Sequence, residues 1–88
     1  MDQAPESPFP ARVLIKVIMS AKETAKVNQE RITEAVEPAG FTAESFSSRL
    51  SGKGRWMSMS FFSEIESSEE LSELYDILRE VPGARMVL

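Results

Sequence analysis

Side chains able to do chemistry are of few kinds in this sequence, because its 88 residues contain neither histidine nor cysteine. The missing histidine removes the commonest general base, and the missing cysteine removes thiolate nucleophiles and disulfides. Several serines occupy the middle of the chain, but no histidine and no S-x-x-K pattern is available to activate them. These are Ser45, Ser47, Ser48, Ser51, Ser58, Ser60 and Ser63. We therefore expect structural serines and no enzymatic activity.

Carboxylates are concentrated in one later segment, at Glu64, Glu66, Glu69, Glu70, Glu73, Asp76 and Glu80. Their spacing follows a helix and not an EF-hand loop, so it predicts a solvated face rather than a converging catalytic pair or a calcium site. A phosphate site built from arginine and asparagine is also disfavoured, since Asn28 is the only asparagine and falls in a predicted helix. We expect no bound metal and no cofactor.

Charge and composition restrict the partners. The net charge is −4, opposite in sign to that of a typical nucleic-acid module, so we do not expect nucleic acid as the main partner. No apolar run is as long as a membrane span. Residues 1–8 are acidic and rich in proline, which predicts a flexible leader without the features of a secretory signal. We expect the protein to be cytoplasmic.

The elements that position these side chains are clear from periodicity and turn signals. Apolar residues fill 11–19, interrupted only by Arg12 and Lys16, which is typical of a central strand. Two S-x-x-E patterns, at Ser20–Glu23 and Ser67–Glu70, predict the starts of two helices, and Asn28 offers a second, later start for the first of them. Further strands are predicted at 41–50, 55–63 and 84–88, with a hairpin turn at 51–54 and the first helix ending at 37–40.

This order predicts a fold of the α+β class. Strand, helix, strand, strand, helix, strand corresponds to a ferredoxin-like βαββαβ sandwich, a four-stranded antiparallel sheet with two helices on one face. The first and third strands should be central and the second and fourth at the edges. Residues 9–88 should form a single domain of this kind.

The chain also resembles the YbeD-like family of small bacterial proteins. The likeness rests on Phe9-Pro10, Ile15-Lys16-Val17, Lys53-Gly54, the alternating Ser58 and Ser60, Leu74-Tyr75 and the last four residues, Arg85-Met86-Val87-Leu88. The resemblance implies a ferredoxin-like fold related in shape to ACT regulatory domains, and hence a possible regulatory or effector-binding role. ACT domains often carry glycine in the first strand–helix turn, whereas this chain has Ser20, Ala21 and Lys22 there. That difference argues against an effector site of the usual kind.

A candidate interaction surface follows from the strand alternation. If Met57, Met59 and Phe61 face the helices, the opposite sheet face is unusually apolar, and an apolar patch of this kind typically marks an interface. Its predicted members are Leu14, Lys16, Ile18, Trp56, Ser58, Ser60, Phe62 and Arg85, with Val87 beside them. The reverse alternation, with Trp56 and Phe62 buried, stays open at this point. Arg49, Lys53 and Arg55 form a small basic cluster around the hairpin, which is typical of a solvated turn.

Three functions are weighed on this basis. We predict a non-enzymatic binding or regulatory module of unknown pathway that uses its exposed sheet face to bind a protein partner or a second copy, as in a homodimer. The alternative is an ACT-like sensor of a small-molecule effector at Ser20–Lys22. RNA binding ranks third, because the strand positions that should stack bases hold Arg55 and Met57.

Overall fold

The computed structural model describes residues 9–88, so the leader predicted for residues 1–8 lies outside the described residues. The elements are β1 Ala11–Ser20, α1 Ala25–Val36, β2 Glu44–Leu50, β3 Trp56–Ile65, α2 Ser68–Arg79 and β4 Ala84–Val87, with a 3₁₀ turn at Glu37–Ala39 after α1. The strands form one antiparallel sheet in the order β2-β3-β1-β4. This arrangement confirms the predicted ferredoxin-like βαββαβ fold, with β1 and β3 central.

The core lies between the sheet and the helices. Alternate residues of the two central strands face it, so that Ile15 pairs with Phe61 and Val17 with Met59 across the β1–β3 ladder. Phe61, like Ile32 of α1 and Leu74 of α2, is completely buried, and Phe46 of β2 stacks on it with 5.1 Å between ring centroids. The buried methionines and Phe61 show that this face of β3 is the inner one.

Helix α1 starts later than predicted. The S-x-x-E pattern at Ser20–Glu23 does not cap it, because Ser20 is the last residue of β1 and donates its backbone N–H to the Gly83 carbonyl at 2.9 Å. Thr24 is the N-cap instead, and its hydroxyl accepts from the Val27 N–H at 3.2 Å. Ser20 is thus hydrogen-bonded as part of strand β1, and the helix begins after it.

Helix α2 begins where the sequence places it. The Ser67 hydroxyl accepts from the Glu70 N–H at 3.1 Å, as expected for the second S-x-x-E pattern. The Glu70 carboxylate accepts from the N–H of Glu66, one residue earlier than in the standard reciprocal box. The first contact satisfies an amide donor that the helix leaves free at its start, and the second ties the residue before the N-cap to the first turn.

Two strand predictions need correction. Strand β2 begins at Glu44 and not at Phe41, because Phe41 is buried in the core and Ser45 adopts a positive φ of 56° that interrupts pairing between Glu44 and Ser47. In β4, Val87 does not face outward.

The β4 correction has a geometric cause. The β1–β4 register shifts between Ile18, which pairs with Met86, and Met19, which pairs with Ala84. This bulge adds Arg85 as an extra residue and breaks the simple alternation on which the prediction rested. Val87 consequently packs against the core opposite Val17, and Met86 takes the outward position.

Candidate interaction surface

The outer face of the sheet, the side away from the helices, collects the residues predicted for the candidate surface except Val87, which packs against the core. On β1 and β3 the register alternates these side chains outward, and on β4 the bulge adds Met86. The predicted residues on this face are Leu14, Lys16, Ile18, Trp56, Ser58, Ser60, Phe62 and Arg85. Leu14 and Met86 each expose 54% of their area, whereas Trp56 and Phe62 are half-buried. The placement is a structural fact, and the use of the face as an interface stays a prediction.

One end of this face, here called the distal end, lies where β1 begins and β3 finishes. The Arg12 guanidinium lies 4.0 Å from the ring centroid of Phe62. The same guanidinium donates to the Ser45 hydroxyl at 3.1 Å and lies 3.9 Å from the carboxylate of Glu44. At the distal end, the Arg12 guanidinium and the Phe62 ring therefore already contact other groups of the same molecule. Leu14 is the main exposed apolar side chain there.

The other end, here called the hairpin end, is concave. A cleft of about 520 Å³ opens there, with Ile18 and Trp56 as apolar walls, Arg49 and Ser58 beside them and residues 50–52 as its rim. A smaller concavity of about 290 Å³ adjoins it on the Lys53 and Arg55 side of the hairpin. The guanidinium of Arg85 lies over the indole of Trp56 at 5.4 Å from the ring centroid.

The hairpin that forms this cleft is organised by Ser51. Its hydroxyl accepts from the backbone N–H groups of Arg55 and Trp56, each at 3.2 Å. Its own backbone N–H donates to the Trp56 carbonyl at 2.8 Å, and its carbonyl accepts from Gly54 at 2.9 Å. Gly54 has a φ of 65°, which glycine adopts without steric cost. The cleft wall is therefore held in place by the chain itself.

Charge is distributed unequally between the two layers. The strands and the β2–β3 hairpin carry Arg12, Lys16, Arg49, Lys53, Arg55 and Arg85 against only Glu44 and Glu64. The helices and their connections carry the remaining described acids, against Lys22, Lys26, Arg31 and Arg79. Within residues 9–88, ion pairs with carboxylates involve Arg12, Arg31 and Arg79. No described carboxylate pairs with the basic groups at the hairpin end, in contrast to Arg12 at the distal end.

The loop predicted as an effector site, Ser20–Lys22, is already hydrogen-bonded within the chain. Its three backbone N–H groups donate to the Gly83 carbonyl, to the Arg55 carbonyl and to the Ser20 hydroxyl. The Ser20 carbonyl in turn accepts from the Asn28 side-chain amide at 3.2 Å. The loop offers no spare amide donor to a ligand in this conformation, although its role as an effector site stays a prediction.

Other chemistry-bearing groups do not converge. Asn28 and Ser63 are completely buried polar residues, and each leaves one side-chain oxygen without a hydrogen-bond partner among the described atoms. Residues 9–88 bring together no three acidic side chains that could share a metal ion. None of the helices in this part of the chain has the length and apolar character needed to cross a membrane.

Sequence reasoning missed three contributors to the hairpin end. Met86 was missed because the bulge at Arg85 carries no sequence signal. For Leu50, which is 58% exposed, the sequence predicts only a place in an edge strand. For Arg49 the sequence predicts a solvated turn, whereas the register places it opposite Ser58 on the outer face, a position that counting back from the 51–54 turn also gives.

Known proteins resemble this chain in fold and in family. The solution structure of protein HP0495 from H. pylori matches with a TM-score of 0.71 and 20% identity, covering 98% of this chain and 89% of that one. The ACT domain from GTP pyrophosphokinase of Chlorobium tepidum matches with a TM-score of 0.61 and 18% identity, covering 89% of this chain and 97% of that one. A search of curated proteins gave no match.

At these identities the two structures show the fold alone. The sequence itself matches, over residues 4–88, the family described as "Protein of unknown function (DUF493)". This match spans nearly the whole chain and confirms the YbeD-like resemblance drawn from the sequence. The chain therefore belongs to the DUF493 family.

Proposed function

We propose that this protein is a non-catalytic binding or regulatory module that associates with a protein partner, or with itself, through the outer face of its sheet. The observation that carries the proposal is the combination on that face of exposed apolar side chains, such as Leu14 and Met86, with half-buried aromatic rings and with basic groups that have no carboxylate partner within residues 9–88, such as Arg49 and Arg85. Interfaces are enriched in aromatic residues, methionine and arginine, all of which occur here. The cytoplasmic location predicted from the sequence is part of this proposal.

The direct test compares binding by matched variants. The full chain, tagged at its N-terminus, is used to capture proteins from bacterial lysate, and its self-association is measured by sedimentation velocity. Trp56→Ser should remove a stoichiometric partner, or a dimer, while the protein stays folded. Lys26→Ser, an exposed substitution on α1, serves as the control and should leave association unchanged. Association that survives Trp56→Ser, Phe62→Ser and Leu14→Ser together would exclude the outer face as the interface.

A second candidate is an ACT-like sensor of a small-molecule effector. The observation in its favour is the fold shared with the ACT domain of a GTP pyrophosphokinase, which is an argument from fold alone. Thermal melts with each of the twenty amino acids test it, because a ligand that binds only the folded state adds about 2.7 kcal/mol at a hundred times its Kd. A saturable rise in melting temperature with one amino acid, lost on substitution of Lys22, would favour the sensor over the binding module.

A further inference from the structure

The hairpin-end cleft has the shape and lining of an anchor site for a partner side chain. It is an open concavity of about 520 Å³, which is large enough to take one bulky side chain. Ile18 and Trp56 provide apolar walls, Leu50 lies at its edge, and the Ser51 hydrogen bonds hold the hairpin wall in position. A bulky apolar side chain entering this cleft would bury surface with little reordering of the protein, which favours affinity.

Positive charge surrounds the same cleft. Arg49 lines it, Lys53 and Arg55 line the adjoining concavity, and Arg85 lies over Trp56. None of these four groups is paired with a carboxylate of residues 9–88. Guanidinium groups bind carboxylates through charge-assisted, often bidentate hydrogen bonds, which also fix geometry. The chemistry complementary to this site is therefore an apolar side chain flanked by carboxylates.

A protein segment matches this chemistry better than a nucleic acid does. Single-stranded nucleic acids bind by stacking bases on free aromatic faces. Each of the two aromatic rings on the outer face has a guanidinium over one of its faces, Arg85 over Trp56 and Arg12 over Phe62, which leaves few positions for successive bases to stack. The other layer of the molecule is strongly acidic, which opposes a long polyanion. A short acidic segment avoids that repulsion, because it contacts the hairpin end only.

We propose that the hairpin-end cleft docks an acidic segment of a partner protein. The segment places an apolar side chain between Ile18 and Trp56, and its carboxylates bind Arg49 and Arg85. This inference rests on the proposed function and deepens it, since it names the end of the sheet face that is used and the chemical class of the partner.

The test is a selection followed by measured binding. A random 16-residue peptide library is displayed against the full chain immobilised through an N-terminal tag. The enriched peptides are then synthesised, and their binding is followed by fluorescence anisotropy. We expect enriched sequences with several Asp or Glu residues around one bulky apolar residue. The double variant Arg49→Glu/Arg85→Glu should weaken their binding by about a hundredfold, because two charge-assisted contacts become repulsive.

The matched control reverses a guanidinium at the opposite end of the same face. Arg12→Glu reverses one charge, as Arg49→Glu and Arg85→Glu each do singly, but it lies at the distal end, so binding should change less than about threefold. Circular dichroism and thermal melts check that all these variants stay folded, as expected for exposed side chains. Equal losses for Arg12→Glu and for the two single hairpin-end variants would show that net charge, and not the cleft, is recognised, which would overturn the proposal.

The remaining outcomes separate this inference from the proposed function. Enriched peptides that lack acidic residues but lose binding with Trp56→Ser would overturn the acidic partner and leave the outer-face interface standing. An absence of enriched peptides would also overturn the acidic segment. If a 20-nucleotide dT strand binds more tightly than the peptides, the acidic segment is also excluded, and nucleic acid is the ligand. If the protein forms a dimer that Arg49→Glu/Arg85→Glu alone abolishes, the segment is excluded as well, and a second copy occupies the cleft. If neither a partner protein, nor a peptide, nor a second copy binds at the outer face, both this inference and the proposed function are wrong.

Discussion

The two ends of the outer sheet face are built from the same strands but differ in how their charges are satisfied. At the distal end, Arg12 lies over Phe62 and forms an ion pair with Glu44. At the hairpin end, Arg85 lies over Trp56 in a similar way, but Arg49 and Arg85 have no carboxylate partner within residues 9–88. An aromatic ring covered by a guanidinium is thus common to both ends. Among the described residues, the hairpin end differs from the distal end in having a cleft and guanidinium groups without a carboxylate partner.

The largest expected effect is on the free energy of unfolding. It tests whether the aromatic rings at the two ends of the outer face lie at the protein surface or in the core. Phe61→Ala should lower the free energy of unfolding by about 3–5 kcal/mol, because it empties a fully buried position. Phe62→Ala and Trp56→Ala should each cost only about 1 kcal/mol, since they remove half-buried rings and one cation–π contact. Urea unfolding of the three variants measures this. If Phe62→Ala or Trp56→Ala lowers the free energy of unfolding as much as Phe61→Ala does, that ring belongs to the core. The comparison between the two ends of the outer face would then fail.

The next largest effect is on binding of a selected acidic peptide. Trp56→Ala should raise its Kd about thirtyfold, or about 2 kcal/mol, as for a central aromatic contact of an interface. Phe62→Ala is the matched variant at the distal end and should change the Kd less than about threefold. Anisotropy titrations measure both. Similar losses for the two rings would mean that the partner covers the whole face.

A smaller effect is expected when the hairpin end is given a carboxylate that pairs with its arginine, as Glu44 pairs with Arg12 at the distal end. Ser58 lies directly opposite Arg49 on the outer face, so Ser58→Glu places a carboxylate beside that guanidinium. Peptide binding should weaken about tenfold, or about 1.4 kcal/mol, because the guanidinium is now occupied and the cleft is less positive. Ser58→Gln has nearly the same size without the charge and is the control. If the two variants weaken binding equally, bulk in the cleft explains the loss and charge compensation does not.

The smallest effect is the response to salt. Raising the ionic strength from about 0.05 to 0.15 M should weaken peptide binding roughly threefold, because surface charges are then screened over a shorter distance. The Arg49→Glu/Arg85→Glu variant should lose this dependence, whereas Arg12→Glu should keep it. Titrations at three salt concentrations measure the slopes. A slope that Arg12→Glu alone abolishes would assign the charge recognition to the distal end.

The fold was predictable because its signals are local and repeated. The alternation of Met57, Met59 and Phe61 and the glycine at position 40 each indicate their element without reference to the rest of the chain. The start of α1 was not predictable in this way, because Ser20 suits either a helix cap or a strand end. The Gly83 carbonyl, distant in sequence, decides between them by accepting the Ser20 N–H.

The surface was predictable only in part, for the same physical reason. The outward placement of Trp56 and Phe62 follows from the alternation of side chains along one strand. It could be predicted as soon as the inward residues of β3 were identified. Met86 and the cleft depend on the Arg85 bulge and on how β2 ends beside β3, which are properties of strand pairs. The pairing of Arg12 with Glu44 depends on the irregular backbone at Ser45, where a non-glycine residue has positive φ. No single segment contains that information.

The separation of charge between the two layers has a kinetic consequence. Within residues 9–88, acidic helices on one side and basic strands on the other give an electric dipole moment directed between the two layers. Such a dipole exerts a torque on an approaching charged body, and at physiological ionic strength the field extends about 8 Å from the surface. For the proposed acidic partner, the field would oppose an approach to the helices and favour an approach to the sheet. Orientation would then be selected during diffusion, so that productive encounters would be more frequent than the area of the cleft alone would allow.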